Sequence, residues 1–60
     1  MERNYRVLFW SGEGVDAIRF KSKHRLNSKL NKQDGARAIK RLRGERVFEE
    51  AEIIEIWLDK

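Results

Sequence analysis

The sequence predicts a small α+β domain in which one helix packs on one face of a three-stranded sheet. Two strand-like stretches flank a glycine-rich turn, one segment has apolar residues at helical spacing, and a third strand-like stretch comes last. The chain has 60 residues, which is the length of one small domain spanning residues 1–60. The predicted order of elements is therefore strand, strand, helix, strand.

The first strand is predicted at residues 4–10, where aromatic and β-branched residues dominate. Side chains alternate between the two faces of a strand, so Tyr5, Val7 and Phe9 share one face. Leu8 and Trp10 lie on the opposite face. Apolar residues on both faces predict that this strand is the central one.

A hairpin is predicted after the first strand, because residues 11–14 read Ser-Gly-Glu-Gly and glycine adopts the positive φ of a tight reversal. The second strand follows at residues 15–21. Ile18 and Phe20 share its apolar face, while the charges of Arg19 and Lys21 are typical of a protected edge.

The helix is predicted at residues 31–43, with Asn31 as its N-cap and Asp34 near its positive end. Gly44 is the expected stop. The preceding residues 22–30 are compatible with either a basic loop or a short first helical turn. The buried side of the helix is expected to consist of Gly35, Ala38, Ile39 and Leu42.

The third strand is predicted at residues 49–58, after a connector in which Val47 and Phe48 are candidates for the core. Alternation places Ile54, Ile56 and Leu58 on one face, and Ile53 and Trp57 on the other. The predicted sheet order is 2-1-3 with antiparallel neighbours, since this order centres the most apolar strand. One helix covers one face, so the other is expected to meet a second copy, a protein partner or residues 22–30.

Charge is distributed unevenly along the chain. Residues 1–18 carry a net charge of −1, residues 19–46 carry +9 and residues 47–60 carry −4, within a total of +4. Separated charge of this kind produces a local positive potential. The basic segment, residues 19–46, is either an anion-binding surface or a solvated surface that keeps a small domain in solution.

The leading hypothesis is a non-enzymatic domain that binds DNA or RNA through its basic loop and helix. The alternative is a protein-interaction or homodimerisation module on the uncovered sheet face, including a phage-encoded regulator of a host protein. Trp10 and Trp57 would stack on bases only if they face away from the helix and lie beside basic residues. The candidate nucleic-acid-binding residues are Lys21, Lys23, His24, Arg25, Lys29, Lys32, Arg37, Lys40 and Arg41.

Enzymatic chemistry is not expected from this sequence. Cysteine is absent, His24 is the single histidine, and no carboxylate is identified that would orient Ser22 and His24 for catalysis. Strand alternation would divide the acidic residues of the third strand between two faces, so no metal, cofactor or catalytic residue is predicted. The longest apolar run, residues 7–10, is too short for a membrane span, and a cytoplasmic protein is expected.

The basic segment also carries a resemblance. The residues that carry it are Ser-Lys-His-Arg at 22–25, Asn-Ser-Lys at 27–29, Asn31 with Asp34, Arg-Ala-Ile at 37–39 and Gly44. Together they resemble small phage or prophage proteins of the strand-strand-helix-strand type. The resemblance covers a third to a half of the chain, and it implies a phage or bacterial cytoplasmic origin without a particular activity.

Overall fold

The computed structural model describes residues 1–44 and 52–59 and confirms the predicted fold class. Strand β1 spans Arg3–Trp10, strand β2 spans Val15–Ser22, helix α1 spans Lys29–Leu42 and strand β3 spans Ile53–Leu58. The sheet order is β2-β1-β3, and β1 pairs antiparallel with both neighbours. The most apolar strand is therefore central, as predicted.

The hairpin between β1 and β2 forms where the two glycines were expected to allow it. The Ser11 N–H donates to the carbonyl of Gly14 at 2.8 Å, and the Ser11 hydroxyl donates to the same carbonyl at 2.9 Å. Gly12 has a φ of 93°, a conformation that residues with a Cβ rarely adopt. This turn sets the register in which Trp10 lies opposite Val15.

The core lies between α1 and one face of the sheet. It contains the three β1 residues predicted to share a face, together with side chains from the other elements. The ring of Phe20 stacks on Tyr5 with a centroid separation of 5.6 Å. A Cβ on Gly35 would lie 3.3 Å from the Phe20 ring, so glycine lets the helix approach the sheet closely. The buried apolar residues are Tyr5, Val7, Phe9, Phe20, Ala36, Ile39 and Ile56.

The helix begins earlier than predicted, and its N-cap is Ser28 rather than Asn31. Both residue types are good N-caps, but Asn31 is fully buried inside the first turn, where its backbone N–H donates to the Ser28 hydroxyl. The helix ends at Leu42, and Gly44 takes a φ of 76° just beyond it. The segment 22–30 thus contains the end of β2, a turn and the start of the helix.

The predicted buried side of α1 is correct at Gly35 and Ile39 and wrong at Leu42, which is 64% exposed. Leu42 lies in the last turn beside the edge strand β2, whereas Ala36 lies against the core. The close contact between Gly35 and the sheet fixes which side of the helix faces the core. The spacing of apolar residues alone predicts the buried side of α1 less accurately.

Strand β3 begins at Ile53, and the predicted strand residues 49–51, with Val47 and Phe48, lie outside the described residues. Its predicted faces are wrong at one end, because a bulge interrupts the pairing with β1. Leu8 lies opposite Glu55 and Phe9 lies opposite Ile53, so Ile54 is the extra residue and is 53% exposed. Ile53 packs against the core instead.

The second face of the sheet is not covered by the described residues. Trp10 is 50% exposed and Val15 is 55% exposed at one end of this face. Asp59 forms ion pairs with Arg6 and Arg19 at the other end. The turn after β2 lies on the helix side, so of the three alternatives expected to cover this face, residues 22–30 are excluded.

Candidate functional site

A chain of hydrogen bonds fixes the turn between β2 and α1. The hydroxyl of Ser22, a residue 2% exposed, donates to Asp34 Oδ2 at 2.7 Å and accepts the His24 N–H at 3.1 Å. The Tyr5 hydroxyl donates to the carbonyl of His24 at 3.1 Å. The turn is therefore tied to the helix on one side and to the central strand on the other.

The first turn of α1 is held by two hydrogen bonds of Asn31, one to the N-cap residue Ser28 and one to the residue before it. The Asn31 N–H donates to Ser28 Oγ at 3.2 Å, and the Asn27 N–H donates to Asn31 Oδ1 at 3.1 Å. Asn27 takes a φ of 64°, which asparagine tolerates better than most residues. The same first turn carries Lys29 and no acidic residue, although a helix N-terminus favours negative charge.

The two layers of the fold carry opposite charge. The turn and helix, residues 23–44, contain eight lysine and arginine residues and one carboxylate, a net side-chain charge of +7. The described remainder, residues 1–22 and 52–59, contains four basic and six acidic residues, a net charge of −2. The positive charge of the sequence is thus concentrated in the layer that covers the core. This turn and helix are called the basic layer below.

The solvent-facing surface of α1 is mostly cationic. Seven of its residues are exposed, and five of these seven are lysine or arginine. Asp34 is the one acidic residue of α1, and its carboxylate is occupied by the Ser22 hydroxyl and by the Arg37 guanidinium at 3.3 Å. The exposed residues of α1 are Lys29, Leu30, Lys32, Arg37, Lys40, Arg41 and Leu42.

Three of the predicted site residues meet in a groove of about 820 Å³ between α1 and β2. They are Lys21 from the strand and Arg37 and Arg41 from the helix. Arg19 lines the same groove and was not predicted as a site residue, although its position two residues before Lys21 on an edge strand was a usable signal.

A second group of predicted residues, Lys23, His24 and Arg25, lines a smaller cavity of about 510 Å³ at the turn. Arg3 joins this group and was also missed, because its position opposite Ser22 depends on the pairing of β1 with β2. The remaining predicted residues Lys29, Lys32 and Lys40 line neither cavity and are exposed on α1.

The sequence interpretation identified no carboxylate that would orient Ser22 and His24, and the structure places Asp34 where it accepts the hydrogen bond of the Ser22 hydroxyl. The enclosed hydroxyl also holds the backbone of His24, so this contact links three elements of the fold. Within residues 1–44 and 52–59, no three histidine or acidic side chains lie together in a way that could hold a metal ion.

In comparisons with known proteins, no family model matches the chain, and no curated protein or solved structure shows significant similarity to it. The resemblance to phage and prophage proteins therefore stays a prediction. The helical part that the structure describes contains no segment long and apolar enough to cross a membrane.

Proposed function

We propose that this protein is a non-enzymatic nucleic-acid-binding domain whose basic layer contacts backbone phosphates. The observation that carries the proposal is the separation of charge between the layers, +7 in residues 23–44 against −2 in the rest of the described chain. Lysine and arginine bind phosphate oxygens through charge-assisted hydrogen bonds. A polyanion is the ligand class that a layer of this sign attracts most strongly.

The shape of the basic layer favours an extended polyanion over a small anion. Helix α1 has 14 residues and is about 21 Å long at 1.5 Å per residue. A nucleic-acid duplex presents one negative charge per about 1.7 Å of its axis with both strands counted, so this length spans about twelve phosphate charges, of which part lie on the side that faces the helix. The exposed cations Lys29, Lys32 and Lys40 are spread from the first turn to the last.

The proposed contacts position the ligand without reading its sequence. Phosphate contacts carry no direct information about bases, and base stacking requires exposed rings beside the cations. Trp10 is half exposed, but it lies on the uncovered sheet face, on the opposite side from α1. The proposal therefore rests on electrostatics alone and applies to DNA and RNA equally.

Fluorescence anisotropy with labelled duplex and single-stranded oligonucleotides tests this proposal. Binding is expected at about 50 mM salt, with log K falling linearly against log salt by about 0.9 per duplex phosphate contacted and 0.7 per single-strand phosphate. The variant Lys29→Gln/Lys32→Gln is expected to bind more weakly and to lower that slope by about 2.

The matched control is Arg6→Gln, set against the single variant Lys32→Gln; it removes the same charge from the sheet layer, where Arg6 pairs with Asp59 and lines neither cavity. We expect this control to bind nearly as well as the unmodified protein. Equal losses in Lys32→Gln and Arg6→Gln would show that only net charge matters, and would contradict the proposal. Absence of binding at about 50 mM salt would reject it outright.

A second candidate function is association through the uncovered sheet face, with a second copy or another protein. Trp10 and Val15 are both about half exposed there, side by side in the hairpin register, and paired exposed apolar residues mark interaction surfaces. Sedimentation velocity over a range of protein concentrations measures self-association. A concentration-dependent dimer that Trp10→Ala weakens would support it, and a monomer throughout would remove the homodimer.

A further inference from the structure

Within the part of the chain that the structure describes, the outer edge of β2 has no neighbouring strand. Strand β2 pairs with β1 on one side, and no described strand lies on its other side. In antiparallel sheets, successive residues of a central strand bond alternately to the two neighbours. The carbonyl of Asn4 accepts the N–H of Asp59 at 2.9 Å, so the even-numbered residues of β1 face β3.

It follows that Tyr5 and Val7 bond to β2, through their partners Phe20 and Ile18. The backbone groups of Ala17, Arg19 and Lys21 therefore point away from the sheet. The Ala17 N–H fits this assignment, because it donates to the side chain of Asp16 at 2.9 Å instead of to a strand. Arg19 and Lys21 are left with outward N–H and C=O groups that a further strand would bond.

The space beside this edge is a groove and not open solvent. Helix α1 forms its other wall, and the groove has a volume of about 820 Å³. Apolar side chains line it, including Ile18 from the strand and Ala38 from the helix. Leu42 also lines it while remaining 64% exposed, so an apolar group of a ligand would cover Leu42 there.

From this geometry we propose that the groove binds an extended acidic peptide, which adds to the sheet as a strand beside β2. Four cationic residues line the groove against two carboxylates. Arg37 pairs with Asp34 and Arg19 pairs with Asp59, so among the described residues Lys21 and Arg41 are the groove cations without an ion pair. Carboxylates on the peptide complement this excess. The four cationic residues are Arg19, Lys21, Arg37 and Arg41.

The same charges argue against a second copy of this chain as the occupant. Two β2 edges placed side by side would bring Arg19 and Lys21 of one copy against Arg19 and Lys21 of the other. Like charges on neighbouring strands destabilise the pairing. A separate acidic chain avoids this repulsion.

Strand geometry also determines which residue types the peptide should carry at alternating positions. Side chains of an added strand alternate between the two faces of the sheet. On the helix side they meet Ile18 and Leu42, which favour apolar residues, and on the other side they meet the side chains of Arg19 and Lys21. The matching ligand alternates apolar and acidic residues.

The probe is a labelled, end-blocked peptide Glu-Val-Glu-Val-Glu-Val-Glu, titrated against the full chain and followed by fluorescence anisotropy and by amide chemical shifts. We expect saturable binding with the largest shifts at Arg19 and Lys21. Chemical synthesis of the chain with an ester in place of the Lys21 amide removes one outward N–H. Loss of one neutral hydrogen bond is expected to weaken binding about two- to tenfold.

Three controls separate strand addition from charge attraction. An ester at Glu13, in the hairpin loop, should leave binding unchanged. The peptides Lys-Val-Lys-Val-Lys-Val-Lys and Glu-Glu-Glu-Glu-Val-Val-Val should bind at least about tenfold more weakly, since the first reverses the charge and the second loses the alternation. Circular dichroism of each ester variant checks that the fold is intact.

Three results would overturn the proposal: equal binding of the alternating and block acidic peptides, an ester effect as large at Glu13 as at Lys21, or no binding of the alternating peptide. Displacement of the peptide by a single-stranded oligonucleotide, with shifts at the same two amides, would instead assign the groove to nucleic acid and also reject the peptide. The phosphate-binding proposal shares Arg37 and Arg41 with the groove but is tested separately, because its test variants alter Lys29 and Lys32, which lie outside the groove.

Discussion

The sheet core and the helix start of this protein are held together by different interactions. In the core, Val7, Phe9 and Ile39 are almost completely buried and apolar, so removal of nonpolar surface from water stabilises it. At the helix start, Ser22 and Asn31 are just as buried but polar, and hydrogen bonds hold them. Burial alone therefore does not distinguish the two regions, but the loss of stability caused by substitutions in each region should distinguish them.

The largest effect is expected from Ile39→Ala in the core. Ile39 is fully buried, and truncating such a side chain costs about 2–5 kcal/mol. A chain of 60 residues has a free energy of unfolding of about 3–9 kcal/mol, so this variant should lose a large part of its stability. Thermal unfolding followed by circular dichroism measures the loss.

The matched control for that experiment is Leu42→Ala, on the same helix but mostly exposed. We expect a change within about 0.5 kcal/mol, as for most surface substitutions. Comparable losses in the two variants would mean that Leu42 contributes to the core as the sequence pattern predicted.

The next largest effect is expected from Asp34→Ala at the helix start. The substitution leaves the enclosed Ser22 hydroxyl without its acceptor, which costs about 1–3 kcal/mol. Arg37→Ala, which removes only the exposed partner of Asp34, should cost less than about 1 kcal/mol. Urea unfolding of both variants measures the difference, and equal costs would show that the Ser22 contact contributes little.

A smaller effect is expected from Ser28→Ala, which removes the N-cap of α1. Loss of such a cap costs about 0.5–2 kcal/mol, and Ser28→Asp should restore most of it because aspartate is also a strong N-cap. The same urea experiment checks both variants. A helix that started at Asn31, as the sequence pattern suggested, would be insensitive to either change.

These substitutions also indicate which parts of the fold the sequence could predict. The strand order and the buried face of β1 follow from alternation and from the glycine turn, which are local patterns. The N-cap does not, because serine and asparagine are both good caps and the choice depends on whether Asn31 is buried by distant residues. The bulge at Ile54 likewise depends on pairing with β1.

The candidate site likewise has a part that could be predicted from the sequence and a part that could not. Its cations could be predicted because the turn and helix are contiguous in sequence, so a run of positive charge becomes one layer of the fold. Arg3 and Arg19 could not be assigned with the same ease, since they join the site through the pairing of β1 with β2 and through the edge groove. The edge position of β2 was expected from its charges and from the predicted sheet order, whereas the groove beside that edge depends on where α1 packs and has no signature in the sequence.

The smallest change in stability is expected from reversing charges at the two ends of α1. Lys29 lies in the first turn, where a cation opposes the helix dipole, so Lys29→Glu should stabilise the protein by about 0.3–1 kcal/mol. Lys40 lies in the last turn, where a cation is favourable, so Lys40→Glu should destabilise it by a similar amount.

Both charge reversals should weaken oligonucleotide binding, because each places a carboxylate on the exposed cationic surface of the basic layer. Opposite shifts in unfolding free energy with parallel losses of affinity would therefore separate the stability of the helix from its proposed contact with phosphate. Paired urea-unfolding and anisotropy measurements on the two variants provide this comparison. If affinity instead followed stability, with Lys29→Glu binding more tightly than the unmodified protein, the cations of α1 would not be the phosphate contacts.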